Sequence, residues 1–158
     1  MTHWVYRWLM LVPGLAVLSC GEPQVPPPPQ APRAAPAPPS APAVKPGAVT
    51  RMPLESYFPL QQGGSALTFD VRPAIFYHFG HIPGAVSWPK GSYASQLAAH
   101  EEELQAASQA KRPVILYCTN RACPDANTIA QRLAARGHSV AILEGGYEEW
   151  KAAEMPTE

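Results

Sequence analysis

Two thiols in one short segment, Cys118 and Cys123, are the residues of this chain best placed to do chemistry. Cys118 ends an apolar run, Val114-Ile115-Leu116-Tyr117, and opens a polar loop, Thr119-Asn120-Arg121-Ala122. The loop leads through Cys123 and Pro124 into a helical pattern from Asp125 to Arg136. A cysteine between the C-terminal end of a strand and the N-terminus of a helix meets converging backbone N–H groups and the positive end of a helix dipole. Both favour thiolate over thiol, and the thiolate is the nucleophile. The second cysteine, five residues on, makes a redox pair an alternative, and its simplest reading is a small buried residue capping the helix. The spacing is not that of a thioredoxin-type motif. Two cysteines without further paired ligands fall short of the four a structural zinc takes, so neither metal nor cofactor is expected.

The elements that must position this loop follow from periodicity. Ala66 to Val71, Val86 to Trp88, Val114 to Tyr117 and Val140 to Leu143 read as strands. Tyr93 to Ala110 reads as a helix with Leu97 and Leu104 on one stripe. In the helix from Asp125 to Arg136, Ala126, Ile129, Ala130, Leu133 and Ala134 share a face. Pro124 suits its first turn and Gly137 its stop. A last helix runs from Tyr147 to Ala153, and Ala74 to Phe79 is a brief helical or looped segment. Alternating strands and helices predict an α/β layered fold with a mainly parallel sheet.

The rest of the chain bounds where this domain works. Formal charge is zero at pH 7, which gives no electrostatic footprint for nucleic acid or a membrane surface. His3 and Arg7 precede an apolar run from Trp8 to Leu18, about 11 residues against the roughly 20 a spanning helix needs. Residues 1–19 therefore read as an export signal. Its ending, Val17-Leu18-Ser19-Cys20, resembles a bacterial lipobox, which implies lipidation of Cys20 and a lipid anchor to a membrane. In a Gram-negative host that would be the periplasmic face of the outer membrane. Eleven of the 20 prolines lie between Pro23 and Pro46. Residues 20–49 thus read as a solvated tether rich in Pro and Ala, too poor in large apolar side chains to fold. The globular domain spans about 50–158, a normal size for one domain.

Within that domain five segments resemble, in order, the rhodanese-like sulfurtransferase family in its single-domain form. They are Asp70-Val71-Arg72, Gly80-His81-Ile82-Pro83-Gly84-Ala85, the strand into Cys118, Leu143-Glu144-Gly145-Gly146 with Trp150, and Met155-Pro156. The resemblance implies a three-layer fold, a mainly parallel central sheet flanked by helices. It also implies that Cys118 takes sulfane sulfur from a donor such as thiosulfate, holds it as a persulfide and passes it to a thiol or cyanide-like acceptor. Thiolate and persulfide are both anions, and a loop curled around them offers several N–H donors without a neighbouring general base. The substrate-binding loop would be Thr119, Asn120, Arg121, Ala122 and Cys123. Asp70, Arg72, His81, Gly145, Gly146 and Trp150 would be structural.

The loop departs from the family pattern. A common form has glycine three residues after the cysteine and arginine at five, where this chain has Arg121 and Cys123. Arg121 either supplies the missing charge or is a solvated loop residue. Related phosphatases carry arginine six residues after the cysteine, and Pro124 stands there. Cys123 is either a resolving or disulfide partner of Cys118, or a small helix-capping residue. Three functions follow: an exported sulfurtransferase, a thiol–disulfide redox or sensing module, or a catalytically silent binding domain.

Overall fold

The strands β2 (Leu67–Asp70), β4 (Val114–Tyr117) and β5 (Val140–Leu143) are buried at all four of their positions. Strands covered on both faces belong in a parallel sheet with helices on either side. The computed structural model, which describes residues 45–158, has that architecture. With β1 (Val49–Met52) and β3 (Val86–Ser87) the sheet runs β1-β5-β4-β2-β3, every pair parallel. The expected signal segment, Cys20 and most of the proline-rich stretch lie outside the described residues.

Side-chain alternation sorts the layers. Val114 and Leu116 of β4 pack with Tyr93, Leu104 and Ala107 of α3 (Tyr93–Gln109), and with Ala126, Ile129, Ala130 and Leu133 of α4 (Asp125–Ala135). Ile115 and Tyr117 face the other way, towards Tyr57 of α1 (Leu54–Gln62) and Trp150 of α5 (Gly146–Ala152). A five-residue helix, α2 (Ala74–His78), follows β2. The α4 pattern of i, i+3, i+4, i+7 closes at Gly137, whose φ of +96° lets the chain leave the helix.

The sheet has five strands where the sequence pattern indicates four, and α1 is likewise unanticipated. Each has a physical reason. In β1 the two middle residues, Thr50 and Arg51, are exposed, so the strand carries no apolar run. Helix α1 follows Pro53, contains Pro59 and buries only Tyr57 fully, which erases a helical stripe. The strand β1 begins at Val49, and its register with Val140 puts chain entry at the N-terminal ends of the strands. Cys118 follows their C-terminal ends. The reactive loop and the chain entry therefore lie at opposite ends of the sheet.

The loop end is tied down by a buried ionic network. Asp70 Oδ1 accepts from the Arg72 backbone N–H and from its Nε, both at 3.0 Å. Its Oδ2 accepts from Arg72 Nη2 at 2.6 Å and from the Tyr117 hydroxyl at 2.8 Å. The Tyr117 oxygen in turn accepts the Ile82 N–H at 3.2 Å, and Arg72 Nη2 also donates to the Gly80 carbonyl at 2.8 Å. Burial raises the Tyr117 phenol far above its ordinary value, and the Asp70 charge raises it further, so it stays a neutral donor. Burial opposes the Arg72 charge, but the hydrogen bond and charge of Asp70 outweigh it and hold the guanidinium above its ordinary value. The segment 80–85 is further stitched to the tail, with His81 N–H donating to the Glu158 carbonyl at 2.9 Å and Glu158 N–H donating back at 3.1 Å.

Asp70 is fully buried and Arg72 is 3 % exposed. Removing one partner strands the other charge. Asp70→Ala is therefore expected to cost about 3–5 kcal/mol in urea unfolding. A loss below about 1 kcal/mol, the value of a surface ion pair, would show that the pair does not organise the fold.

Candidate functional site

The anchor just described ends at Tyr117, so the next residue inherits its position. Cys118 turns to the α4 face of the sheet, packs in the same cluster as Ala126 and is 3 % exposed. Its carbonyl accepts the Tyr147 N–H at 2.9 Å, and the Thr119 carbonyl accepts the Glu148 N–H at 2.9 Å. The loop thus hangs on the first turn of α5. Gly146 permits this approach: its φ is +62°, and a Cβ there would run into the Cys118 carbonyl oxygen. Gly145, with φ +69°, caps the same helix, and Trp150 behind it is fully buried and donates from Nε1 to the Pro156 carbonyl at 2.7 Å.

Asn120 shapes the rest of the loop. Its Oδ1 accepts the Ala122 N–H at 3.1 Å, its carbonyl accepts the Cys123 N–H at 3.2 Å, and its Nδ2 donates to Glu148 at 3.1 Å. The N–H groups of Thr119, Asn120 and Arg121 have no acceptor among the described residues. Donors left open in a tight loop are what an anion needs. Arg121 is exposed, with Nη2 3.5 Å from Glu144.

Cys118 and Cys123 are joined as a disulfide, with Cα atoms 6.1 Å apart, inside the span a disulfide requires. Cys123 is half-buried while Cys118 is buried. A carboxylate oxygen of Asp125 lies within 4.8 Å of both sulfurs. Lys90 Nζ sits 2.5 Å from Asp125 Oδ1. Cys118, Cys123 and Asp125 are the nearest approach to a metal-binding set among the described residues, but bonded sulfurs are not thiolate ligands and three groups do not close a zinc site. A cavity of about 20 Å³ is lined by Arg51, Asn120, Arg121 and both cysteines, among others. That is room for one water-sized group.

His81 lies elsewhere: its ring stacks on Tyr77 at 3.7 Å, and its Nδ1 is 3.1 Å from the Tyr77 carbonyl. Asp70 and Arg72 lie in the network under the loop. Phe79, just after α2, is 81 % exposed.

A model of the rhodanese-like domain matches residues 58–153. The chain belongs to the rhodanese-like family. Among solved structures, this rhodanese-like chain is similar to a protein of Bacillus halodurans, with 26 % identity and a TM-score of 0.57 over 69 % of this chain and 76 % of that one. A rhodanese-related protein of Thermoplasma volcanium is 15 % identical with a TM-score of 0.57, over 69 % of this chain and 97 % of its own. A helix-turn-helix-type transcriptional regulator of Mycobacterium tuberculosis is 34 % identical over 101 residues, 62 % of this chain and 40 % of the relative. The chain thus spans about two fifths of the length of that curated relative. The fold expected from the resemblance is the one observed.

Sequence reasoning missed Asp125, Lys90 and Arg51. Asp125 carried a usable signal, an acidic residue in the first turn of the helix that follows the loop. Arg51 carried none, because the strand that holds it was not legible.

The glycine at 146 gives a test of the loop's attachment. Gly64 also has positive φ, +60°, but has open space where a Cβ would stand. Both substitutions to alanine pay the backbone cost, of order 1 kcal/mol. Gly146→Ala is expected to cost at least about 1 kcal/mol more than Gly64→Ala in denaturant unfolding, because a clash with the Cys118 carbonyl is added. Equal losses would mean the contact is not close.

Proposed function

We propose that this rhodanese-like domain is a sulfurtransferase in which reduced Cys118 attacks the outer sulfur of a donor such as thiosulfate. Sulfite leaves, Cys118 holds the sulfur as a persulfide anion, and a thiol or cyanide-like acceptor takes it. The observation that carries the reading is the loop: a nucleophile at a strand end, beside three N–H groups without acceptors and a cavity of single-atom size. Such donors hold the developing anion without reorganising. Arg51 from β1 and Arg121 from the loop itself line the same cavity and bring positive charge in place of an arginine at position 123. Phosphoryl transfer is not favoured, since Pro124 stands where a phosphatase loop carries its arginine.

The disulfide supports a second reading, a thiol–disulfide module that switches between bridged and open forms. The two readings share Cys118 and differ in whether sulfur is carried. We also propose that the domain works outside the cytoplasm, held through lipidated Cys20 by the proline-rich tether. The entry of the chain at the end of the sheet away from the loop suits a site presented outward.

Turnover of thiosulfate with cyanide by the reduced protein tests the first reading. Cys118→Ser is expected to abolish it, and Cys123→Ser to sustain it. Arg51→Ala is expected to raise KM for thiosulfate with little change in kcat, since its charge serves donor binding. No turnover with any sulfane donor would sink the proposal.

A further inference from the structure

We infer that the domain, beyond transferring sulfur, releases it as hydrosulfide, with Cys123 as the attacking thiol. This rests on the persulfide reading above and specifies the fate of the carried sulfur. A persulfide on Cys118 has two electrophilic sulfurs. The outer one is open to external acceptors, and attack there is transfer. The inner one, Cys118 Sγ, belongs to a side chain 3 % exposed in the bridged loop, and in the persulfide the outer sulfur occupies the approach through which the donor reached it. Cys123 Sγ is the group that reaches it, because the two are bonded in the oxidised loop.

The step balances without an added oxidant. The Cys123 sulfur forms a bond to Cys118 Sγ, and the bond between Cys118 Sγ and the outer sulfur breaks. The outer sulfur leaves with the electron pair of that bond, and the proton of the Cys123 thiol makes it HS⁻. The persulfide is reduced to sulfide as the two cysteines are oxidised to the disulfide. The Asp125 carboxylate, with an oxygen within 4.8 Å of the Cys123 sulfur, is placed to pass that proton on towards the departing sulfur. The N–H groups of Thr119, Asn120 and Arg121, in the same loop, have no acceptor among the described residues.

The product of this step is the disulfide seen here, and a dithiol reductant must reopen it. Its point of attack is set by exposure: Cys123 is half-buried and Cys118 is buried, so the incoming thiolate takes Cys123 and frees Cys118. The domain then consumes sulfane sulfur and a dithiol, and yields sulfide. Whether sulfur is transferred or released depends on whether an acceptor reaches the outer sulfur before Cys123 reaches the inner one.

A single-turnover experiment on the full chain tests this. The protein is reduced, freed of reductant under anaerobic conditions and mixed with thiosulfate. Sulfite and sulfide are measured, and the peptides carrying Cys118 and Cys123 are weighed. The wild type is expected to release one sulfite and one sulfide per chain, and these peptides to lose two hydrogens. Cys123→Ser is expected to release sulfite, gain one sulfur on Cys118 and release no sulfide until dithiothreitol is added. Its sulfite release also reports that the variant is folded. A wild type that releases sulfite but retains the sulfur overturns the inference and leaves the transfer reading standing. So does a Cys123→Ser variant that releases sulfide as fast as the wild type. Absence of sulfite from both overturns the transfer reading, and the inference with it.

Discussion

The buried contact of Asp70 with Arg72 and Tyr117 is the constraint from which the site follows. It joins the ends of two neighbouring strands, the segment from Gly80 to Ile82 and, through the Arg72 guanidinium 3.9 Å over the Tyr147 ring, the first turn of α5. A charge pair taken out of water is a poor source of net stability, but it is intolerant of displacement, because every bond lost leaves a buried group unpaired. That intolerance is useful at this point in the chain. Tyr117 is one residue before Cys118, so the sulfur's position is fixed from below by the network and from the side by the Tyr147 and Glu148 N–H groups.

A rigid base and loop N–H groups without acceptors are what the two proposed sulfur chemistries would share. In the proposed chemistry, N–H groups without acceptors would favour each anion in turn, thiolate, persulfide and departing hydrosulfide. Cys123 occupies a place where an arginine would add permanent charge, and it exchanges that charge for a second reactive sulfur. Part of the positive potential is supplied from elsewhere, by Arg51 on the edge strand and Arg121 in the loop. Asp125, held by Lys90, adds a carboxylate beside the sulfurs.

Much of this was legible in the residues. The runs that become β2, β4 and β5 are apolar because both their faces are covered, and α4 shows its buried stripe. The position of Cys118 between strand and helix follows from those patterns alone. What escaped was carried by exposed or interrupted elements. The edge strand β1 offers Thr50 and Arg51 to solvent, and α1 is broken in pattern by Pro59, so neither has the periodicity that reveals an element. Arg51 was lost with its strand. Whether Cys123 would bond Cys118 or merely cap a helix was open in sequence, because spacing does not fix the Cα separation; the turn built by Asn120 does.

The central claim is that the buried network aims the Cys118 sulfur. Tyr117→Phe tests it most directly, because it removes one hydroxyl, the one shared by Asp70 and the Ile82 N–H, and leaves the ring and the thiol in place. The measurement is the rate of the first sulfite release from thiosulfate by the reduced variant, under conditions where circular dichroism shows it folded. Misplacing a reacting atom by about an ångström can cost about 100-fold, so a fall of at least about tenfold is predicted. A rate equal to that of the wild type would contradict the account.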